Sequence, residues 1–266
     1  MVRVMGNDFT HREVGPLKKR VHRLGVACNY GIDAAAFEHA LDRGVNYVYW
    51  TWLKTGALKP SLKRALAARR ESVALATGPL VGVTGATVRR SCEGWLRSLG
   101  TDYIDVFQLG WLGVASAFTD GVVEALVKLR EEGKVRAIGA SIHDRERAGR
   151  LAESSPLDLL MIRYNAAHPG AERDVFPRLA ARRPAVVAYT ATAWRKLLKR
   201  PSGYDGPVMS AGDCYRFCLS SPHVDVTLTA PRTRAELDEN LAALDRGPLS
   251  PDEDRWMRAF GRAAHG

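Results

Sequence analysis

Short apolar runs alternate with amphipathic segments along the chain from about residue 24 onward. The runs are rich in β-branched residues and have apolar side chains at successive positions, a pattern typical of strands buried on both faces. In the segments between them, apolar residues recur every three or four positions, which predicts amphipathic helices. Eight strands are predicted, and their sequences in chain order are LGVACN, VNYVYW, SVALAT, DYIDVFQLGW, VRAIGASI, LDLLMIRYN, AVVAYTA and VDVTLTA.

Eight strands in alternation with eight helices are typical of the (β/α)8 barrel, an architecture of the α/β class. A doubly wound sheet is the alternative, but its first strand is usually followed by a glycine-rich turn of the form G-x-G-x-x-G. The corresponding segment here, GVACNYGID, does not have that form. We therefore predict a single barrel domain over residues 1–266, in which residues 249–266 form a C-terminal tail.

The residues that directly follow the strands should meet at one rim of the barrel, where barrel enzymes bind their ligands. Alternate residues of a strand point to the same side, so Arg163 and Asn165 are predicted to share a face, and a buried arginine there would need an anionic partner or ligand. Trp194 lies in a segment that either clamps a ligand or begins a helix. The residues predicted to line a substrate pocket at this rim are Trp50, Trp52, Trp111, Arg163, Asn165 and Trp194.

The chain is strongly basic, with a formal net charge of +10 and a pI near 9.7. Clustered lysine and arginine side chains would suit a nucleic acid, because they neutralise phosphates and release counterions. Here, however, the basic residues are distributed over helix faces such as LKRALAARR, and no platform of basic and aromatic residues recurs. We therefore predict a solvated basic surface and no nucleic-acid partner.

Composition also bears on location and on metal binding. The chain has no run of eighteen apolar residues and no apolar signal segment at its amino terminus, so we expect no membrane association, no secretory signal and a cytoplasmic location. Its four cysteines form no C-x-x-C pair and lie near no histidine at a zinc-ligand spacing, so we expect free thiols and no metal site. No pattern in the sequence indicates the oligomeric state.

Six blocks of the sequence, in the same order, resemble the aldo-keto reductase family over nearly the whole chain. One of them, RSLGTDYIDVFQLGW, is similar to the family's LGTDYIDLYQLHW. The others are REVGPLKKRVHRLGVA, ALDRGVNYV, VKLREEGKVRAIGAS, the strand ends YN and VVAYT, and APRTRAELDENLAAL. The resemblance implies a short N-terminal β-hairpin before the barrel and the reduction of carbonyl compounds with NADPH.

This chain departs from the family at the active site, which the resemblance identifies as a tetrad of Asp, Tyr, Lys and His. Alignment on the family's GINFFDTADVY places Tyr49 at the Asp, and Lys54 at the Tyr that protonates the carbonyl oxygen. Gly78 stands at the position of the Lys, and Gly110 at that of the His. Hydride delivery to a carbonyl needs an acid at the oxygen, and the Lys and His help to tune that acid. The chain cannot use the family's arrangement.

Two interpretations of the segment GVNYVYWTWLKTG stay open. In the first, Tyr49 and Lys54 have exchanged roles, and the lysine lowers the pKa of the phenol so that it acts as an acid or a base. In the second, Tyr49 and its two tryptophan neighbours fill the volume of the lost tetrad, and Gly78 and Gly110 give them room. His143 and His168, which both follow strand ends, are further candidates for a relocated acid or base.

The resemblance also implies NADP(H) as the cofactor and indicates residues that would hold it. Ser141 corresponds to the serine that binds the nicotinamide amide, whereas Ile142 and Met161 stand at the positions of its Asn and Gln partners. Tyr189 corresponds to the aromatic residue that stacks on the nicotinamide ring. The other expected cofactor-binding residues are Thr190, which replaces a serine, Glu239 and Asn240 in the adenosine-binding block, and Arg232 and Arg234, which are available for a 2′-phosphate.

Two kinds of function follow from this combination of features. As an enzyme, the protein would act on a carbonyl- or imine-type metabolite through other acids, or catalyse a redox-neutral step such as isomerisation, dehydration or cyclisation in the same pocket. As a catalytically silent barrel, it would bind a dinucleotide or another small ligand as a sensor or as a partner of other proteins. Ligand binding without turnover would distinguish the second from the first.

Overall fold

The computed structural model describes residues 8–265 and begins with a β-hairpin. Strands β1 (His11–Val14) and β2 (Lys19–His22) pair in antiparallel orientation across a short turn. Apolar side chains of the hairpin, among them Val14 and Val21, pack against inward-facing side chains of the barrel strands. The hairpin therefore closes the amino-terminal end of the barrel, and the hairpin that the family resemblance implies is confirmed.

Eight parallel strands form a closed barrel. Each strand pairs with the next one along the chain, and the last pairs with the first. The strands are β3 (Leu24–Ala27), β4 (Tyr47–Tyr49), β5 (Ala74–Thr77), β6 (Ile104–Leu109), β7 (Val135–Ile142), β8 (Leu159–Arg163), β9 (Ala185–Tyr189) and β10 (Val226–Thr229). The predicted (β/α)8 barrel is confirmed, and the carboxyl ends of all eight strands lie at one rim.

Helices follow the strands and surround the barrel. They are α1 (Ala34–Asp42), α2 (Lys59–Arg69), α3 (Gly85–Leu99), α4 (Asp120–Glu131), α5 (Arg145–Ser154), α6 (Ala171–Asp174), α7 (Ala211–Ser220), α8 (Arg234–Leu244) and α9 (Pro251–His265). The predicted tail, residues 249–266, contains α9, whose Met257, Phe260 and Ala264 are buried at helical spacing. No helix within residues 8–265 has both the length and the apolar composition needed to cross a membrane.

Alternate side chains of the strands enter two separate layers. Side chains that point inward, such as Tyr47 on β4 and Met161 on β8, fill the barrel. Side chains that point outward, such as Val48 and Ile162, pack beneath the helices. At the carboxyl ends of the strands, the last inward-facing side chains lie at the bottom of the opening that the surrounding loops enclose. We call this opening the mouth.

A buried ionic cluster ties the hairpin to the barrel at the end opposite the mouth. Asp105 on β6 is inaccessible to solvent, and its carboxylate lies 2.7 Å from Lys19 Nζ and 2.9 Å from a guanidinium nitrogen of Arg70. The same carboxylate accepts a hydrogen bond of 2.9 Å from the backbone N–H of Leu75. Removing one partner of such a buried pair is costly, so these charges hold the hairpin in place.

The four cysteines are free thiols and all are buried. Burial raises the thiol pKa of Cys28 and Cys218 well above the ordinary value, so these side chains behave as small apolar groups. Within the part of the chain that the structure describes, no three His, Cys, Asp or Glu side chains are grouped so that they could hold a metal ion.

Candidate active site

Inward-facing side chains from four strands meet in the mouth. Tyr49 ends β4 and Tyr189 ends β9, while Arg163 ends β8 and is paired in register with Tyr189. Ser141 lies near the end of β7. The charge of Arg163 and the hydroxyl of Ser141 both lower the pKa of the Tyr189 phenol, against the larger effect of burial. The structure therefore brings together one predicted catalytic residue, two predicted cofactor-binding residues and one predicted pocket residue.

The two phenols in the mouth are weak acids. Burial raises the pKa of Tyr49 to about 12, and Tyr30 adds to the rise while Gln108 opposes it. Burial also raises the pKa of Tyr189 to about 12, against the opposing influence of Arg163. Both hydroxyls are therefore protonated at neutral pH, so they are hydrogen-bond donors and not bases.

Lys54 does not activate Tyr49 in the way that the first interpretation predicts. It is exposed on the loop after β4, where its backbone has left-handed geometry (φ 56°). It is not among the charges that act on the Tyr49 phenol, whose pKa is raised and not lowered. The prediction that a lysine lowers this pKa is wrong, because burial of the phenol dominates.

The two tryptophans next to Tyr49 do not share its surroundings. Trp50 is 1% exposed and belongs to the outer layer beneath the helices, so the prediction that it lines the pocket is wrong. The reason is the strand period, because the residue after inward-facing Tyr49 must point outward. Trp52 lies on the exposed turn that follows and packs on Trp95 of α3, with ring centroids 3.8 Å apart. Trp50 therefore does not fill the volume of the tetrad, whereas Trp52 packs on the ring that donates to the backbone oxygen of Gly78.

The two glycines at tetrad positions have different surroundings. A Cβ on Gly78 would lie 1.8 Å from the backbone oxygen of Gln108, because the chain just beyond β5 runs very close to β6. A Cβ on Gly110 would meet only the backbone oxygen of Pro79, at 3.8 Å. The space-filling interpretation therefore does not account for Gly78, which is required by contact between two backbones.

The two histidines occupy different places. His143 lies in the mouth, with its ring centroid 5.2 Å from that of Trp111 and 5.5 Å from that of Tyr189. Burial and then Arg163 lower its pKa, so the imidazole is neutral at pH 7. His168 packs edge-on against His265 of α9 and its Nδ1 lies 3.1 Å from the Asn165 side-chain oxygen. Only His143 directly faces the other aromatic side chains of the mouth.

Asn165 supports the rim loops and does not line the pocket. It is 0% exposed, and its amide nitrogen donates to the backbone oxygen of Thr190 at 2.7 Å. Its side-chain oxygen accepts hydrogen bonds from the backbone N–H groups of Ala167 and His168. The prediction that Asn165 shares the pocket face with Arg163 is wrong, because β8 ends at Arg163 and the strand alternation stops there.

The loop after β9 has unusual backbone geometry. Thr190, Ala193, Trp194 and Arg195 all have positive φ, between 47° and 69°. Left-handed geometry in non-glycine residues costs about 1 kcal/mol or more each and often occurs at functional sites. Trp194 is 69% exposed, and its ring lies 5.8 Å from that of Tyr30, which follows β3. The loop thus presents an exposed aromatic side chain next to Tyr30 at the rim.

The predicted adenosine-binding residues lie at α8, directly after β10. Arg232, Arg234 and Glu239 are exposed, and the Arg234 guanidinium is 3.8 Å from the carboxylate of Asp238. Asn240 is buried and donates to the hydroxyl of Thr229 at 3.2 Å, so it joins α8 to the barrel and is not free for a ligand. The two arginines are accessible from solvent on the side of the rim next to β9.

Sequence reasoning missed two residues of the mouth. Gln108 is 2% exposed at an inward position of β6, and its side-chain oxygen has no hydrogen-bond partner among residues 8–265. Tyr30, on the turn after β3, adds to the rise that burial causes in the pKa of Tyr49 and of Tyr189, and its ring contacts that of Trp194. A polar residue two positions after inward-facing Val106 was a signal for Gln108. Tyr30 had no comparable signal.

The barrel is similar to solved aldo-keto reductases. The holo form of one from Bacillus halodurans superposes with a TM-score of 0.79 at 23% identity, over 96% of this chain and 97% of that chain. One from Klebsiella pneumoniae, solved in complex with NADP and acetate, gives a TM-score of 0.76 at 22% identity, over 95% of each chain. At such identity the likeness concerns the fold alone.

The sequence comparison defines the family. The model of the aldo/keto reductase family matches residues 33–202, which is more than half of the chain, and the protein belongs to that family. An NADH-specific methylglyoxal reductase of Escherichia coli (strain K12) is 31% identical over 93 residues, 34% of this chain and 28% of that protein. Methylglyoxal reductase YeaE from the same organism is 31% identical over 112 residues, 41% of this chain and 39% of that protein. The matched segments thus span less than half of these relatives.

Proposed function

We propose that the protein is an NADP(H)-binding oxidoreductase that acts on a small carbonyl- or imine-type molecule through an altered active site. Family membership supports the type of chemistry, and the names of the two Escherichia coli relatives support a carbonyl substrate. The observation that carries the proposal is Tyr49, which stands at a tetrad position, points into the mouth and keeps its proton at neutral pH.

The described residues fit a nicotinamide dinucleotide in part. Tyr189 offers an aromatic ring at the end of β9, its hydroxyl is buried without a partner in residues 8–265, and Ser141 lies beside it. Arg232 and Arg234 are exposed at the start of α8, where a helix N-terminus and two guanidinium groups favour a phosphate. When bound, the reduced nicotinamide supplies a hydride to the substrate carbon.

Tyr49 supplies the proton that balances this hydride. When a hydride with its electron pair is delivered to the substrate carbon, the Tyr49 hydroxyl would donate its proton to the carbonyl oxygen or imine nitrogen, and the phenolate would regain a proton from solvent. With Gly78 and Gly110 in place of the Lys and His, no side chain at those positions stabilises the phenolate. Tyr49 is therefore a weak acid, and simple aldehydes and ketones should be reduced slowly.

Paired binding and turnover measurements test the proposal. We expect NADPH fluorescence to change on titration with the protein and to change equally with Tyr49→Phe, which removes only the hydroxyl. Turnover of activated carbonyl compounds should fall about 10²- to 10⁴-fold in Tyr49→Phe, the usual contribution of a general acid. Tyr103→Phe, beside Lys19 and Arg70 at the end of the barrel opposite the mouth, is the matched control and should keep full activity. Turnover that survives Tyr49→Phe would assign the proton to another group.

A binding protein without turnover is the second candidate function. It is favoured by the loss of all four tetrad side chains and by the exposure of Lys54 outside the mouth. NADPH binding without oxidation in the presence of carbonyl and imine panels would support it. A redox-neutral reaction would instead convert a substrate while the NADPH absorbance stays constant.

A further inference from the structure

Arg163 brings an uncompensated positive charge into the mouth. It follows inward-facing Leu159 and Met161 on β8, and it is half-buried. Its charge lowers the pKa of His143 and opposes the rise at Tyr189. Burial, and then the charge of Arg163 together with those of Lys196 and Arg145, also lowers the pKa of His168. Arg163 therefore makes the electrostatic potential in this part of the mouth more positive.

Three carboxylates in the segments that follow the strands are engaged elsewhere. Asp33 accepts a hydrogen bond from the backbone of α1 at 2.7 Å, and Asp144 accepts one from the backbone of α5 at 3.0 Å. Asp174 is paired with Arg145 at 2.9 Å. Within residues 8–265, no carboxylate lies within ion-pair distance of Arg163. A half-buried guanidinium without a partner is costly unless a ligand supplies the anion.

Other groups in the mouth suit the rest of such a ligand. The hydroxyl of Tyr189, on the strand next to Arg163, is a protonated donor without a partner among the described residues. The rings of Trp111 and His143 form an aromatic wall on one side, and that of Trp194 is exposed on the loop after β9. A guanidinium fork binds a carboxylate through two parallel hydrogen bonds, and the rings accept a planar body.

We propose that Arg163 binds the carboxylate of a small-molecule substrate in the mouth. This step rests on the proposed function, which then makes the substrate an oxo acid: the carboxylate is held by Arg163 and the carbonyl oxygen is directed to Tyr49. The reaction consumes the oxo acid, one hydride from the reduced nicotinamide and one proton, and it yields the hydroxy acid. The anchoring of the carboxylate explains how a weak acid suffices, because a fixed carbonyl needs less activation.

Calorimetric titration with a matched pair of ligands tests this role without turnover. The probes are phenylglyoxylate and its methyl ester, which share the ketone and the ring but differ in charge. We expect the unaltered protein to prefer phenylglyoxylate, and Arg163→Gln to lose about 10- to 100-fold in affinity for it, with the ester unchanged. Arg163→Lys should recover part of the loss. Arg97→Gln, on an exposed position of α3, is the matched control and should change nothing.

The outcomes separate this proposal from the proposed function. Equal affinity of the unaltered protein for both probes, or none for either into the millimolar range, overturns the role of Arg163, as does phenylglyoxylate binding that Arg163→Gln leaves intact. Selective loss of NADPH affinity in Arg163→Gln also overturns it and assigns the guanidinium to a cofactor phosphate. Carboxylate selectivity that depends on Arg163 in a protein that does not bind NADPH supports the anion site and refutes the oxidoreductase.

Discussion

Replacing Gly78 by alanine should destabilise the protein far more than the same change at Gly110. The new Cβ would lie 1.8 Å from the backbone oxygen of Gln108, whereas real Cβ atoms essentially never approach another heavy atom within 3.0 Å. A backbone oxygen cannot rotate away as a side chain does, so the chain after β5 and strand β6 would have to separate. That movement would also disturb the hydrogen bond of 2.9 Å from the Trp95 indole to the Gly78 oxygen.

The size of the effect follows from the clash. Overpacking typically costs about 1–3 kcal/mol, and a contact with backbone belongs at the upper end, about 3 kcal/mol. In a domain of this size each kcal/mol lowers the melting temperature by about 2–4 °C, so we expect a loss of about 6–12 °C. The same obstacle faces any attempt to restore the family's lysine at this position, since Gly78→Lys introduces the same Cβ.

Thermal unfolding followed by circular dichroism measures the difference directly. Gly110→Ala is the matched control, because its new Cβ has no neighbour closer than 3.8 Å. We expect Gly110→Ala to unfold near the temperature of the unaltered protein. If Gly78→Ala unfolds at the same temperature as Gly110→Ala, the chain after β5 and strand β6 can separate without a loss of stability, and the explanation of Gly78 by backbone contact is refuted.

Two further predictions concern the cofactor and pH. Replacing Arg232 and Arg234 together by glutamine should weaken the binding of NADPH by about 1–3 kcal/mol more than that of NADH, because charge-assisted hydrogen bonds to the 2′-phosphate are lost. Fluorescence titrations measure both affinities, and equal losses for the two cofactors would contradict such a site. Burial lowers the pKa of His22 to about 4, so the unfolded chain binds its proton first and stability should fall as the pH drops from about 6.5 to about 4. Urea unfolding should give a free energy of unfolding about 2 kcal/mol lower at about pH 5 than at about pH 7.5, and His22→Asn should remove this difference. The same pH dependence in the unaltered protein and in His22→Asn would show that His22 does not cause it.

The barrel could be predicted from the sequence because its strands are buried on both faces and its helices on one. The strands therefore read as continuous apolar runs, whereas the helices have apolar residues every three or four positions, and the two patterns are easy to tell apart. Eight repetitions of a strand followed by a helix leave few alternative topologies. The ninth helix was harder to identify, because α9 follows no strand. Its burial depends on contacts with distant segments, as between Gly261 and the backbone oxygen of Ala166.

The mouth could be predicted only in part. Strand alternation separates Tyr49 from Trp50, whereas proximity in the sequence groups them. The buried role of Asn165 depends on where β8 ends, and strand ends are the least certain part of a pattern. The contact between Gly78 and Gln108 joins positions 30 residues apart, and no local signal reports how closely two backbones approach.

The last helix reaches the loops that build the mouth. Near its end, the ring of His265 touches His168 in the loop after β8, and the backbone oxygen of His265 accepts a hydrogen bond of 3.0 Å from Lys196 in the loop after β9. One turn earlier, Gly261 lets the helix press against Ala166, the residue beside Asn165. A fusion partner joined directly to the end of α9 would therefore disturb both loops, and a spacer between the two would avoid this in ligand-binding work.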